Sequence, residues 1–248
     1  MSGELYGKRF YQYDKKSAAS AAKILAHLWP VVAPASIIDI GCGHGIWLKQ
    51  CAILGAKKLV GVDGEWVTQS QMLDERVKFV QKDLNQKIDI DEKFELAISL
   101  EVAEHLEAEN SEKFINSLTR LSDTILFGAA YIGQDGTGHI NTNRHSCWGE
   151  LFRKLDYKVY DLIRPLFWGD GDIHYWYRQN CFLYVRSGSK VDNLLGNNGL
   201  LDLKNLSFQD AIHPELYELK MKNIIGIRNL PSFIFSAIKN SFRYRLEK

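Results

Sequence analysis

The 248-residue chain is short of several things that would have marked its class. It has four cysteines, and Cys42, Cys51, Cys147 and Cys181 form no C-x-x-C pair. Neither a zinc site nor a disulfide framework is indicated, and a reducing cytoplasm fits. No charge of one sign dominates, because 31 Lys and Arg stand against 30 Asp and Glu. With no dense basic run, a phosphate-neutralising face is not expected, and neither is a nucleic-acid partner. No apolar run is long enough to cross a bilayer. The first residues lack the basic and apolar regions of a signal peptide, and Pro30 and Pro34 interrupt the longest apolar stretch near them, so a cytoplasmic protein is expected.

What is present is concentrated between Ser36 and Leu48, SIIDIGCGHGIWL. Ile37, Ile38 and Ile40 read as a strand buried on both faces of a parallel sheet, with Asp39 near its exit. Gly41, Gly43 and Gly45 then permit a tight turn and close approach to a ligand before a helix begins. A second apolar strand, Lys58 to Asp63, ends in a carboxylate placed to take the hydroxyls of a ribose, the adenosine-site layout of doubly wound folds. Dinucleotide binders want G-x-G-x-x-G, and here the third glycine position is Ile46, which disfavours a nucleotide-binding reductase.

The run Asp39-x-Gly41-x-Gly43-x-Gly45 resembles motif I of the class I S-adenosylmethionine (SAM) methyltransferases. FVQKDL, residues 79–84, resembles that family's third-strand segment, and FELAISLEVAEHL, residues 94–106, its fourth strand and the helix start after it. The resemblance implies a Rossmann-like α/β fold: a seven-stranded, mostly parallel, doubly wound sheet with helices on both faces, plus a C-terminal helical tail. It implies SAM as cofactor and S-adenosylhomocysteine (SAH) as product. The implied cofactor residues are Asp39, Gly41, Cys42, Gly43, Asp63, Gly64, Lys82, Asp83, Leu84, Leu100 and Glu101, with Asp83 on the adenine amino group.

Periodicity places a helix from about Lys15 to Trp29, stopped by Pro30, and another through Phe114, Ile115, Leu118 and Leu121 with Asn110 or Ser111 as cap. Thr124 to Ala130, Tyr157 to Ile163 and Asn180 to Arg186 read as the remaining strands, the last antiparallel in the family's usual sheet. Tyr6, Phe10, Tyr11 and Tyr13 suggest a lid over the cofactor or an anchor for the first helix. The methyltransferase domain with this lid is expected over 1–188, and a loop and helical extension over 189–248.

Beyond Ala130 the residues describe an acceptor site. Gly133, Gly136 and Gly138 suggest a mobile loop above the strand ends, and His139 after it is the leading general base, with His105 and His145 behind it and Glu104 alongside. Asp172, Tyr175, Trp176 and Tyr177 suit a sugar through carboxylate contacts and stacking, or simple packing. The stretches from 133 to 157, 161 to 168 and 172 to 185 resemble methyltransferases associated with capsule and O-antigen polysaccharide synthesis. The implied reaction is O-methylation of a sugar hydroxyl, on a nucleotide-activated sugar such as a heptose.

Alternatives remain open. If Glu101, Glu104 and His105 fall on one helical face, they offer ligands to a divalent metal, with His139 completing the set, as in some related RNA 3′-end and quinone-pathway enzymes. A metal-assisted methyltransferase for another small molecule or an RNA end, and a SAM-binding module without turnover, are the other readings. Phe235, Ile238 and Phe242 share a helical face with Lys239, Arg243 and Arg245 elsewhere, a pattern that docks on its own domain or another subunit, or lies on an anionic membrane.

Overall fold

The computed structural model describes residues 15–225. The expected N-terminal lid aromatics and the basic amphipathic segment around Phe235 lie outside those residues. The chain divides into two compact units, Met1–Ala211 and Ile212–Lys248.

In the first unit the chain runs through α1 (Lys15–Val32), β1 (Ser36–Ile40), α2 (Ile46–Ile53), β2 (Lys58–Asp63), β3 (Val77–Gln81), β4 (Leu96–Leu100), α3 (Ser111–Leu121) and β5 (Thr124–Gly128). It continues through α4 (His145–Lys154), β6 (Tyr157–Tyr160), α5 (Arg164–Phe167), α6 (Tyr175–Asn180), β7 (Phe182–Arg186) and α7 (Lys190–Asn197). The seven strands form one sheet in the order β3-β2-β1-β4-β5-β7-β6. Strands β1 to β5 pair in parallel, and β7 runs antiparallel to both β5 and β6. The expected seven-stranded, mostly parallel sheet is therefore present.

Its two faces carry separate apolar clusters. One joins Ile24, Leu25 and Leu28 of α1 to Leu48 of α2 and Ile37 of β1; the other joins Phe114 and Leu118 of α3 to Ile38, Ile40 and Phe127. Alternation along β1 explains both, since Ile37 faces one layer and Ile38 and Ile40 the other. Strand order reverses beside β1, so the loop after β1 opens into the crevice at the carboxyl ends of the strands.

Several boundaries differ from expectation. Helix α1 runs through Pro30 to Val32. Pro30 and Ala26 are both exposed, so the Ala26 carbonyl that Pro30 cannot bond faces water. Strand β6 ends at Tyr160, where the Asp161 carboxylate accepts the Arg164 side chain at 2.8 Å and the chain turns into α5. Residues 175–180 are helical rather than a strand entry. Asn110 donates its amide to Asn85 and Glu107 instead of capping α3.

The chain from 189 to 211 packs into the first unit. Leu203 N–H donates to the Val159 carbonyl at 2.8 Å and covers the β6 edge. Arg164 reaches the Gln209 carbonyl at 2.8 Å. The second unit carries α8 (Pro214–Ile225), which opens at His213-Pro214. No helix among the described residues is long and apolar enough to cross a membrane.

Candidate active site

The turn after β1 is built on three glycines in the left-handed region, Gly41 at φ 83°, Gly43 at φ 51° and Gly45 at φ 78°. A Cβ on Gly41 would lie 2.2 Å from Val102 Cγ2, so this turn packs directly against the segment that follows β4. Gly41 and Cys42 N–H both donate to the Val62 carbonyl, at 2.7 and 3.1 Å. The loop is thus fixed before any ligand arrives.

Asp63, at the end of β2, accepts Gly43 N–H on Oδ2 at 2.7 Å, and Gly64 N–H and Trp66 Nε1–H on Oδ1 at 2.7 and 2.9 Å. Burial pushes its carboxyl up while these three donors and His44 pull it down. Trp66 lies over Gly64, where a Cβ would meet the indole at 2.3 Å. Asp39 is buried in β1, its Oδ2 accepts no hydrogen bond, and burial with Asp63 nearby holds its carboxyl well above the usual range. Leu84 packs in the core.

Among the described residues, one cavity lies beside Gly64 and another opens on this loop. One, of about 410 Å³, is lined by Gly64, Trp66, Gln81, Lys82 and Asp83, and so brings together three of the expected cofactor residues, Gly64, Lys82 and Asp83. The other, of about 490 Å³, is bounded by Gly41, Cys42 and Gly43 on one side and by His105, His139 and Trp176 on another. Leu100 and Glu101 line it between them. Every described side chain on its wall is uncharged, an acid or a histidine, and none is Lys or Arg.

The expected helical face at Glu101, Glu104 and His105 does not form. Glu101 has φ 56°, and only Ala103–His105 makes a 3-10 turn. Its Oε1 accepts the Asn180 amide at 2.8 Å and its Oε2 the Gln134 amide at 2.9 Å. Glu101 therefore stands outside the group that can share a cation, which comprises Glu104, His105 and His139, with ligand atoms within 4.8 Å of one another. Glu104 is fully buried and neither of its oxygens accepts a hydrogen bond of ordinary geometry. Burial and the adjacent Glu101 hold its carboxyl well above the usual range.

His139 comes to the cavity because the loop glycines let it. A Cβ on Gly136 would lie 2.2 Å from the His139 ring. Nδ1 of His139 lies 3.2 Å from the Gln134 carbonyl, which can only accept, so Nδ1 carries the proton and Nε2 offers its lone pair. That Nε2 is 4.0 Å from Glu104 Oε1. Burial lowers the His139 pKa and pushes that of His105 down to about 4. His105 Nδ1 pairs with the Gly138 carbonyl at 3.2 Å, and the two rings meet edge to face at 4.9 Å.

His145 is not at the site. It is buried between the Gln209 carbonyl and the Asn180 amide, each at 3.0 Å. Asp172 is also diverted, to an ion pair with Lys23 at 2.8 Å. Tyr175, Trp176 and Tyr177 do line the cavity, with His174 stacked on Trp176 at 3.9 Å and Tyr177 against Trp47 at 5.2 Å. Gln134, Asn180 and Trp66 are the residues that sequence reasoning missed; only Trp66, three residues past the acid ending β2, carried a local signal.

Residues 12–127 match a family described as a methyltransferase domain. The fold is that of the class I methyltransferases. The magnesium protoporphyrin IX methyltransferase of Synechocystis PCC 6803, solved with bound SAH, superposes with a TM-score of 0.51 at 18% identity, covering 74% of this chain and 92% of that one. The plantazolicin methyltransferase BpumL, also with SAH, gives 0.51 at 17% identity over 74% of this chain and 89% of that one. An O-methyltransferase family protein from Burkholderia thailandensis gives 0.55 at 14% identity, over 75% and 63%. A mitochondrial ubiquinone biosynthesis O-methyltransferase of Dictyostelium discoideum is 31% identical over 104 residues, 35% of this chain. The match spans 31% of that relative's length.

Proposed function

We propose that this chain is a SAM-dependent O-methyltransferase whose acceptor is a sugar hydroxyl in the assembly of a capsule or O-antigen polysaccharide. The observation that carries the reading is the cavity that runs from the Gly41–Gly43 turn to His139 Nε2. It fits the cofactor: the glycine turn has no Cβ to obstruct a ligand, and Lys82 and Asp83 line a second cavity beside Gly64. When bound, the cofactor supplies a methyl group already activated on a sulfonium sulfur and leaves as the neutral thioether SAH. What remains for the chain is alignment, exclusion of water and removal of one proton.

His139 performs the last task. Its neutral Nε2 takes the proton of the acceptor hydroxyl as the oxygen–carbon bond forms and the sulfur–carbon bond breaks with its electron pair. Tyr175 and Trp176 offer flat apolar surface to the C–H faces of a sugar ring. Because the described wall carries no Lys or Arg, the reacting ring sits there uncharged, and a nucleotide-activated sugar would keep its phosphates outside.

A second reading has its own support. The buried Glu104 carboxyl, whose oxygens accept no hydrogen bond of ordinary geometry, beside two imidazoles lowered in pKa, is a donor set suited to a divalent cation. Such an ion would lower the acceptor hydroxyl's pKa. One experiment separates the two: purified protein with SAM and a panel of neutral glycosides and nucleotide sugars including heptoses, with and without chelator, followed by mass spectrometry. Addition of one methyl group to a sugar supports the acceptor class, and loss of product with chelator moves proton removal from His139 to the cation. SAM binding with no methylated sugar overturns the sugar assignment.

A further inference from the structure

One residue outside every expected set touches both ends of the cavity. Gln134 follows Gly133 in the loop after β5 and is itself buried, although glycine-rich neighbours surround it. Its side-chain amide donates to Glu101 Oε2 at 2.9 Å, its side-chain oxygen accepts from Asn180 Nδ2 at 3.1 Å, and its backbone carbonyl holds His139 Nδ1 at 3.2 Å. Asn180 closes the triangle by donating to Glu101 Oε1 at 2.8 Å. Asn180 is in turn fixed by Gln179 Nε2 at 2.9 Å and by His145 at 3.0 Å.

The arrangement is costly enough to need a reason. Glu101 is a non-glycine residue at φ 56°, in a conformation that other residues adopt only with strain. Its carboxylate is satisfied by two neutral amides instead of a Lys or Arg, although burying a carboxylate without a cation is unfavourable. No Lys or Arg lines the described wall of this cavity, so a cationic ligand there would meet this carboxylate without competition from a resident cation.

We propose that Gln134 is a positioning residue of the reaction: with Asn180 it fixes the Glu101 carboxylate toward the cationic methionine end of the cofactor, while its own carbonyl fixes the His139 ring at the acceptor end. The inference rests on the SAM reading above. One residue thus serves both ends of the cavity, its side chain at Glu101 and its backbone carbonyl at His139.

The test is a double-mutant cycle read by calorimetric titration with SAM. Gln134→Met keeps length and removes both side-chain hydrogen bonds, and Glu101→Gln removes the charge. Each single change is expected to weaken SAM binding roughly tenfold, the scale of a charged hydrogen bond, and the double variant to bind no worse than the weaker single. Gln134→Glu, which sets a second carboxylate against Glu101, is expected to bind more weakly than Gln134→Met. In nitrogen-15 spectra of labelled histidine, Gln134→Met retains the His139 Nδ1–H tautomer, because the carbonyl is unchanged. Independent, additive losses or an unchanged SAM affinity overturn the clamp while leaving the methyltransferase reading intact. An unaltered chain that does not bind SAM overturns both.

Discussion

Asp63 and Gly43 are joined across the mouth of the sheet by a 2.7 Å hydrogen bond from the glycine N–H to Oδ2, so the carboxylate ending β2 braces the turn that follows β1. On the proposed reading the same group has two tasks, holding the loop and facing the cofactor. Asp63→Asn keeps the shape but turns an NH₂ toward one of three donors. It is expected to lower stability by about 1–3 kcal/mol, the cost of an unsatisfied buried donor, and to weaken SAH binding as well. Urea denaturation and calorimetric titration would check the two losses separately, and a variant that loses binding at full stability would show that the brace is dispensable.

The turn leaves no room at Gly41. Gly41→Ala combines a left-handed backbone with a Cβ 2.2 Å from Val102 Cγ2. Overpacking costs about 1–3 kcal/mol and the backbone about 1–2 kcal/mol more. Adding Val102→Ala is expected to restore the packing part alone, which urea midpoints of the single and double variants would reveal.

Gly136 sets the position of His139. Gly136→Ala places a methyl group 2.2 Å from the imidazole, so the ring has to move, and turnover is expected to fall on the order of a hundredfold, the penalty of a displacement near 1 Å. His139→Ala, which removes the proposed base, is expected to cost about 10²–10⁴-fold. SAH affinity is expected to stay within twofold or so in both variants. Initial rates against cofactor titrations would test this, and undiminished turnover in His139→Ala would remove it as the base.

His145 gives the fold a dependence on pH. Burial pushes its pKa from 6.5 down to about 4, so between those values the unfolded chain binds a proton that the folded one refuses. Its contribution is complete above pH 6.5 and is lost as pH falls toward 4, about 3 kcal/mol in all from the 1.36 kcal/mol per pH unit of linkage. His105 adds a loss of the same sign over the same window. His145→Gln is expected to be less stable at pH 7 but to show a shallower decline on acidification, measured by urea denaturation at a series of pH values.

The parts of the site legible in the sequence are the local ones. The β1 turn announces itself because strand, glycines and helix are consecutive, and Asp63 because it ends an apolar run. His139 was readable from its place after a glycine-rich loop. Glu101 was placed on a helical face because Glu101, Glu104 and His105 have helical spacing, and spacing carries no sign of the φ of 56° that turns Glu101 away. Gln134 and Asn180 were invisible for a different reason: their bonds to Glu101 span 33 and 79 residues and exist only once β7 lies beside β5. A neutral amide in a loop or at a strand entry has no pattern of its own. Pro30 misled in the opposite direction, since a rule about helix interiors was applied to a solvent-facing last turn.

The antiparallel insertion of β7 between β5 and β6 has a consequence for the growing polypeptide. The first five strands form a parallel sheet by residue 128, complete with the glycine turn and Asp63. The cavity wall at Tyr175–Tyr177 and the Asn180 bond to Glu101 come more than forty residues later. During synthesis a nascent chain of intermediate length would own the adenosine end of the site without the reacting end. On the proposed reading, the residues that would hold a methyl donor and those that would use it are thus separated along the chain, and the second set runs up to the entry of β7.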